Sequence, residues 1–114
     1  MANQPQFPVY IISKGRYDIT LTADIFEESG IDYLIAVELQ EADLYKAKLG
    51  ENRVLVLPFS NLGLGSYPAR NFCWEHSIAK GYKYHWLFDD NIQAWWKWID
   101  GKRRTITEIS SALI

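Results

Sequence analysis

Short apolar runs rich in β-branched residues alternate with segments of helical periodicity, and this alternation limits the possible folds more than any other feature. The apolar runs predict strands at residues 9–12, 31–37, 53–58 and 84–88. The helical segments lie between them, at residues 18–29, 41–49 and 68–80. Because parallel strands need a crossover connection, the alternation predicts a parallel sheet covered by helices on both faces.

Residues typical of helix ends support these boundaries. Asp18 is the predicted N-cap of the first helix, and Gly30 is its predicted end. Gly50 and Gly81 follow the second and third helices, where glycine commonly stops a helix.

The order of the four strands follows from the handedness of their connections. Right-handed crossovers leave few arrangements, and the simplest is a doubly wound sheet with the order 3-2-1-4. In that order the winding direction reverses between the first and fourth strands, and ligands of open α/β sheets bind beside such a reversal, at the carboxyl ends of the strands. We therefore expect residues 13–16 and 89–91 to face one crevice.

The composition is that of one folded domain. The chain has 114 residues, of which 48% are hydrophobic, and its net charge of -2 excludes an overall basic field for nucleic acid. The single cysteine, Cys73, cannot form an internal disulfide and is expected to be a packed thiol. No apolar run approaches the roughly 20 residues of a membrane span, and the N-terminus lacks the features of a signal peptide, so we expect a cytoplasmic protein.

Two acids and an amide, Asp89, Asp90 and Asn91, directly follow the fourth predicted strand. Adjacent carboxylates are costly to desolvate unless a cation or hydrogen-bond donors compensate. Magnesium and manganese prefer oxygen ligands, and magnesium is commonly held by one or two carboxylates together with substrate phosphates. The three residues therefore predict a partial metal shell, and the alternative is that a carboxylate only caps the next turn.

Two other segments carry groups that suit a nucleotide. Residues 13–16, Ser-Lys-Gly-Arg, combine a hydroxyl and two cations with a glycine that lets backbone approach a ligand, although a solvated turn has a similar composition. Residues 63–71 place two glycines and Arg70 at a helix start, where backbone donors and the helix dipole favour anions. This second segment is neither a dinucleotide fingerprint nor a P-loop, because the required glycine spacing is absent.

The segment after residue 91 has a different character. Trp95, Trp96 and Trp98 form a dense aromatic stretch, and a basic run follows at residues 102–104. Tryptophans this close favour packing, either in a core or against a second copy or partner lobe, over stacking on a sugar or base. The basic run is typical of solvated surface, with contact to a phosphate backbone as the alternative. No period is evident in residues 105–114.

Three motifs in this order resemble those of family-two glycosyltransferases with the GT-A fold. They are Ala69-Arg70-Asn71, then Ala79-Lys80-Gly81-Tyr82, and then a strand that ends in Asp89-Asp90-Asn91 at the place of the family's DxD motif. With the front segment at residues 8–16, the chain more specifically resembles the phage and bacterial glycosyltransferases associated with TET/JBP-type base oxygenases. The resemblance covers roughly residues 8–99. It implies a three-layer α/β/α, Rossmann-like fold of the nucleotide-diphospho-sugar transferases, of which this chain is the N-terminal, donor-binding half.

The resemblance also implies a substrate, a metal and a set of site residues. The donor is a nucleoside-diphosphate sugar, most simply a UDP-sugar, the metal is Mn or Mg, and the acceptor is a hydroxymethylated pyrimidine in phage DNA. The implied donor-binding residues are Ser13, Lys14, Arg16, Glu38, Arg70, Asp89 and Asp90, and the implied metal ligands are Asp89, Asp90 and Asn91. Glu38 lies near the base or ribose and Arg70 near the diphosphate. Asn91 replaces the second acid of DxD with a weaker, neutral ligand, which leaves open whether Asp90 takes over.

We expect residues 1–114 to form a single domain that lacks the acceptor half. In inverting GT-A enzymes the later strands carry the catalytic base, so the base is expected to be absent here. Two other functions stay open. One is a noncatalytic nucleotide-binding or interaction module that pairs through the tryptophans, and the other is a nucleotidyltransferase, which needs a triphosphate loop for which residues 13–16 are short.

Overall fold

The computed structural model describes residues 4–92 and the backbone of residues 95–99 and 102–106. The strands are β1 (Val9–Ile12), β2 (Leu34–Glu38), β3 (Val54–Leu57), β4 (Trp86–Asp89), β5 (Trp95–Ile99) and β6 (Lys102–Ile106). The α-helices are α1 (Leu21–Ser29), α2 (Ala42–Leu49) and α3 (Tyr67–Ala79). Short 3-10 turns at Leu39–Glu41 and Glu51–Arg53 flank α2.

The first four strands form one parallel sheet in the order β3-β2-β1-β4, which confirms the predicted topology. Successive residues of β1 face opposite sides, so the sheet has two apolar faces. Val9 and Ile11 pack with Phe26 of α1 and Tyr45 of α2 on one side. Tyr10 and other residues of the opposite side pack with α3, and the result is the predicted three-layer α/β/α arrangement.

Helix boundaries lie within one residue of the prediction except at the N-terminus of α1, which begins three residues later than predicted. Gly30 follows α1 with a left-handed φ of 69°, a conformation that glycine adopts without steric cost. The prediction of Asp18 as N-cap is wrong, because α1 starts at Leu21 and Thr20 is the N-cap residue. The Asp18 carbonyl instead accepts a hydrogen bond from Lys48 Nζ at 2.7 Å. Within residues 4–92, no helix is long and apolar enough to cross a bilayer.

Two strands are shorter or shifted relative to the apolar runs that predicted them. Ile31 and Tyr33 are buried but precede β2, which begins at Leu34. The Ile31 amide bonds the Phe26 carbonyl at 3.0 Å, so this residue belongs to the end of α1 rather than to the sheet. The fourth strand starts two residues later than predicted and includes Asp89 as its last residue.

Cys73 is fully buried on the face of α3 that packs against the sheet, as expected for a packed thiol. Burial raises the pKa of its thiol to about 12, and the nearby Arg70 lowers it only in part. The protonated thiol therefore acts as a small apolar side chain in this core.

Strands β5 and β6 pair antiparallel, with Trp98 opposite Arg103. No strand was predicted here, although Asp-Gly at residues 100–101 is typical of a two-residue hairpin turn. That dipeptide lies outside the described residues. The hypothesis of packing through Trp95, Trp96 and Trp98 concerns side chains that also lie outside them.

Candidate functional site

The predicted site residues meet at the carboxyl edge of the sheet. Residues 13–16 follow β1, Glu38 is the last residue of β2, and Asp89 is the last residue of β4. Arg70 lies in the first turns of α3, which begins at the same edge. Ile12 and Asp89 are paired in register, so the loop after β1 adjoins the end of β4. This is the point where the winding direction of the sheet reverses.

A cavity of about 200 Å³ opens at this edge. It lies between the ends of β1 and β2 on one side and the loop at residues 59–66 with the start of α3 on the other. Its apolar lining includes Ile12, Leu57, Phe59 and Leu62. Pockets that enclose a whole drug-sized ligand span roughly 300 to 1,000 Å³, so this cavity suits one ring of a larger ligand that extends beyond it.

Glu38 and Lys14 place opposite charges on the wall of this cavity. Glu38 Oε1 accepts hydrogen bonds from Gln40 Nε2 at 2.8 Å and from the Asn61 amide at 3.0 Å, and Lys14 Nζ lies 3.4 Å away. Lys14 also donates to Asn61 Oδ1 at 2.9 Å. Burial raises the pKa of the Glu38 carboxyl, but these donors together outweigh it and the pKa is lowered. The ionised carboxylate is therefore the stable form at neutral pH.

Asp90 points into the protein, and its two oxygens have different partners. Its side chain is only 14% exposed. Oδ2 accepts a hydrogen bond from Ser13 Oγ at 2.6 Å, and Oδ1 lies 3.6 Å from the Arg16 guanidinium. Ser13 Oγ is also 2.5 Å from the Tyr45 hydroxyl, so both of its close partners are protein groups. Asp90 thus joins the end of β4 to the loop after β1.

Asp89, the last residue of β4, points outward. Its side chain is 70% exposed, and Oδ1 lies 3.6 Å from Arg70, which also donates to Ser66 Oγ at 3.0 Å. The Asp89 backbone is held by Thr22, which donates to its carbonyl at 2.6 Å. Thr22 Oγ1 in turn accepts the Ile92 amide at 2.9 Å and so holds both sides of the turn.

The oxygen donors at this edge fit a metal that takes most of its ligands from substrate and water. Within residues 4–92, no three His, Cys, Asp or Glu side chains form a ready metal cluster. Asp89 offers an open carboxylate and Asn91 is exposed beside it. Magnesium typically uses one or two protein carboxylates and completes its shell with phosphate and water. The metal site at Asp89, Asp90 and Asn91 stays a prediction.

Four residues that hold this site together were missed by the sequence analysis. They are Thr22, Glu41, Tyr45 and Asn61. Glu41 Oε2 accepts the Gly15 amide at 2.7 Å, and the Tyr45 hydroxyl accepts the Arg16 amide at 3.1 Å. Glu41 and Tyr45 lie in and just before α2, and no local pattern indicates that their side chains reach back to the loop after β1. Asn61 has a positive φ of 51°, a conformation asparagine tolerates better than most residues, but that angle is a property of the folded loop.

Comparison with known proteins assigns the chain to a family. A family model described as TET-Associated Glycosyltransferase matches residues 7–112, nearly the whole chain. No curated protein and no solved structure matches this chain. The match confirms the resemblance noted in the motifs and supports a glycosyltransferase role, which implies a sugar donor and an acceptor. The chain therefore belongs to the TET-associated glycosyltransferase family.

Proposed function

We propose that the carboxyl edge of the sheet binds a nucleoside-diphosphate sugar, most simply a UDP-sugar, together with Mn²⁺ or Mg²⁺. The observation that carries this proposal is the arrangement of three ion pairs at one edge of the sheet, Lys14 with Glu38, Arg16 with Asp90 and Arg70 with Asp89. The first of these pairs lines an apolar cavity. Ligand pockets commonly combine an apolar wall with a few convergent polar groups. The chain would thus act as a glycosyltransferase or as its donor-binding part.

The cavity supports a role in holding the nucleobase. Its apolar walls suit the faces of a flat ring, and the Glu38 carboxylate can accept a hydrogen bond from a ring N–H or a ribose hydroxyl. Burial raises the pKa of Glu38, but the hydrogen bonds from Gln40 and the Asn61 amide, together with Lys14, lower it below its ordinary value, so the ionised acceptor is present at neutral pH. In this arrangement the base enters the cavity and the diphosphate extends toward β4.

Arg16 and Arg70 are the candidates for contact with the diphosphate. Both side chains are about half exposed, at 50% and 48%, and each lies 3.6 Å from its carboxylate, so neither is tightly paired. Guanidinium groups bind phosphate oxygens in a bidentate geometry that a lysine cannot match. The start of α3 beside Arg70 adds the positive end of a helix dipole.

Asp89 and Asn91 are the side chains best disposed to hold the metal, because Asp90 would have to leave Ser13 and Arg16 to do so. When bound, such a metal stabilises the negative charge that develops on the departing diphosphate. Asp89 also keeps Arg70 near the same place, so loss of this carboxylate affects both metal and diphosphate.

Calorimetric titration of UDP and UDP-glucose tests the proposal, in MnCl2 or MgCl2 and again with a chelator. We expect binding that requires the metal and is lost in Asp89→Ala. The matched control is Asp32→Ala, since Asp32 is 74% exposed and pairs with Arg53 outside this site. Absence of nucleotide binding by the wild-type chain would contradict the proposal and favour a noncatalytic interaction module, and preference for a nucleoside triphosphate would favour a nucleotidyltransferase.

For the acceptor we propose a hydroxymethylated pyrimidine in phage DNA, on the basis of the family resemblance, in the cytoplasm of a bacterial or phage-infected cell. Mass spectrometry of an oligonucleotide that contains 5-hydroxymethylcytosine, incubated with UDP-glucose and Mn²⁺, should show an added hexose if this chain is a complete transferase, and none if it is only the donor-binding part. The same oligonucleotide with cytosine is the control and should stay unmodified. Equal addition to both would contradict the proposed acceptor.

A further inference from the structure

A chain of hydrogen bonds links Tyr45 of α2 to the loop after β1 and to the end of β4. The Tyr45 hydroxyl lies 2.5 Å from Ser13 Oγ and 3.1 Å from the Arg16 amide nitrogen. Ser13 Oγ lies 2.6 Å from Asp90 Oδ2, and Asp90 Oδ1 lies 3.6 Å from the Arg16 guanidinium. This series of hydrogen bonds therefore begins at the Arg16 amide and ends at the Arg16 guanidinium.

The direction of every bond in this chain follows from the groups at its ends. A backbone N–H can only donate and a carboxylate can only accept. Ser13 gives its one hydroxyl proton to Asp90, so its oxygen must accept the proton of Tyr45. Tyr45 in turn accepts from the Arg16 amide. The sequence Arg16 N–H to Tyr45 O–H to Ser13 O–H to Asp90 carboxylate uses each hydroxyl once as donor and once as acceptor, which strengthens successive bonds.

We propose that Tyr45 is a positioning residue that holds Arg16 at both ends for the donor diphosphate. Its hydroxyl fixes the Arg16 backbone directly and fixes the guanidinium indirectly, through Ser13 and Asp90. The inference rests on the proposed function, because it gives Arg16 the task of binding the diphosphate. It assigns Asp90 to the orientation of Arg16 and leaves the metal to Asp89 and Asn91.

The surroundings of Tyr45 keep its hydroxyl in the form that this role needs. The ring is fully buried in the core between α1, α2 and the sheet. Burial is the largest cause that raises the pKa of the phenol, nearby Glu41 and Asp90 raise it further, and the bonds with Ser13 and Arg16 lower it only in part. The phenol therefore stays protonated at neutral pH and can donate to Ser13.

Tyr45→Phe tests the hydroxyl alone, because it keeps the ring and its packing. The matched control is Tyr33→Phe, since Tyr33 is also buried and donates to a carboxylate, Glu27, at 2.9 Å. Calorimetry with UDP-glucose and Mn²⁺ should show affinity weakened about three- to tenfold in Tyr45→Phe, the usual range for one hydrogen bond. Tyr33→Phe should bind as the wild type does. Equal affinities of Tyr45→Phe and wild type would overturn the proposal.

Non-additivity separates positioning of Arg16 from a general effect on folding. Arg16→Gln should weaken UDP-glucose binding, and adding Tyr45→Phe to it should weaken binding no further, because the orientation of a missing guanidinium no longer matters. If Tyr45→Phe has its full effect in the Arg16→Gln background, Tyr45 does not act through Arg16 and the proposal fails.

Hydrogen exchange of the Arg16 amide provides a readout that needs no ligand. Tyr45→Phe should speed exchange of this amide by about tenfold or more, and Tyr33→Phe should leave it unchanged. If the wild-type chain binds no nucleotide, the proposed function fails, and exchange then decides the hydrogen-bond chain separately. If the Arg16 amide exchanges at the same rate in Tyr45→Phe as in the wild type, the proposed series of hydrogen bonds is wrong, whatever the binding result.

Discussion

The two ends of the sheet each carry arginine–carboxylate pairs beside a buried tyrosine, but they hold their cations differently. At the amino end, Arg53 is 24% exposed, lies 3.1 Å from Glu27 and 3.0 Å from Asp32, and covers the Tyr33 ring at 4.8 Å. At the carboxyl end, Arg16 and Arg70 are about half exposed and lie 3.6 Å from their carboxylates. Arg53 at the amino end therefore has close partners within the protein. Arg16 and Arg70 at the carboxyl end are more exposed and less tightly paired, as the proposed contact with a diphosphate requires.

Electrostatics at the amino end support this contrast. Burial lowers the pKa of Arg53, but the hydrogen bond that Arg53 donates to Asp32 and the charges of Glu27 and Asp32 outweigh it, and the pKa is raised. Tyr33 donates to the same Glu27 oxygen that Arg53 contacts. A charged group with several short bonds contributes to stability, and its removal leaves those partners unpaired.

The largest expected effect comes from replacing the arginines, which should change ligand binding at the carboxyl end of the sheet and stability at the amino end. Arg16→Gln or Arg70→Gln should weaken UDP-glucose binding by about 10- to 100-fold, the range for loss of a charged hydrogen bond, with little change in the free energy of unfolding. Arg53→Gln should lower that free energy by about 1 to 2 kcal/mol and leave binding unchanged. Calorimetry and urea unfolding of the three variants measure both quantities. A loss of binding in Arg53→Gln would erase the distinction between the ends.

An intermediate effect is expected at Thr22, whose replacement should lower both the free energy of unfolding and the affinity for UDP. Thr22→Val keeps the shape of this fully buried side chain but removes its bonds to the Asp89 carbonyl and the Ile92 amide. We expect a loss of about 1 to 1.5 kcal/mol, because those backbone groups lose their buried partner, together with weaker metal-dependent UDP binding. Thr20→Val is the control, since Thr20 is also buried but bonds Asp24 within the region of α1. If both variants bind UDP equally, the Asp89 turn does not depend on Thr22.

The smallest expected effect is a pH dependence at Glu38. The folded-state pKa of this carboxyl is lowered below the ordinary value of 4.5, so its contribution to stability is present above that value and is lost as the pH falls through the folded pKa. Because Lys14 is 53% exposed, we expect only about 0.5 to 1 kcal/mol between wild type and Glu38→Gln at pH 7. Urea unfolding at pH 7 and at acid pH measures it. Glu75→Gln, on the exposed side of α3, should show no such difference. A gap for Glu38→Gln that persists at acid pH would exclude an ionic origin.

Much of the fold could be predicted because it depends on short-range patterns. The residues of β1 and the C-terminal glycine of α1 were located correctly from apolar runs and local conformational preference. Strand boundaries were predicted wrongly where a residue is buried without belonging to a strand. Ile31, for example, is apolar because it packs against α1 and not because it joins β2. The antiparallel pair β5 and β6 was missed because these segments mix tryptophan with lysine and arginine and so lack a clean apolar pattern.

The sequence by itself determined the parallel sheet, its strand order and the edge at which residues 13–16 and 89–91 lie. These follow from periodicity and from the handedness of crossovers, which act on local segments. Only the tertiary structure decided that Asp90 turns inward to Ser13 and Arg16, that Asp89 stays open, and that Tyr45 bonds Ser13 and the Arg16 amide. Tyr45 and Asp90 lie 32 and 77 residues from Ser13 in the chain, so no local pattern encodes bonds that exist only once α2 and β4 have packed beside β1.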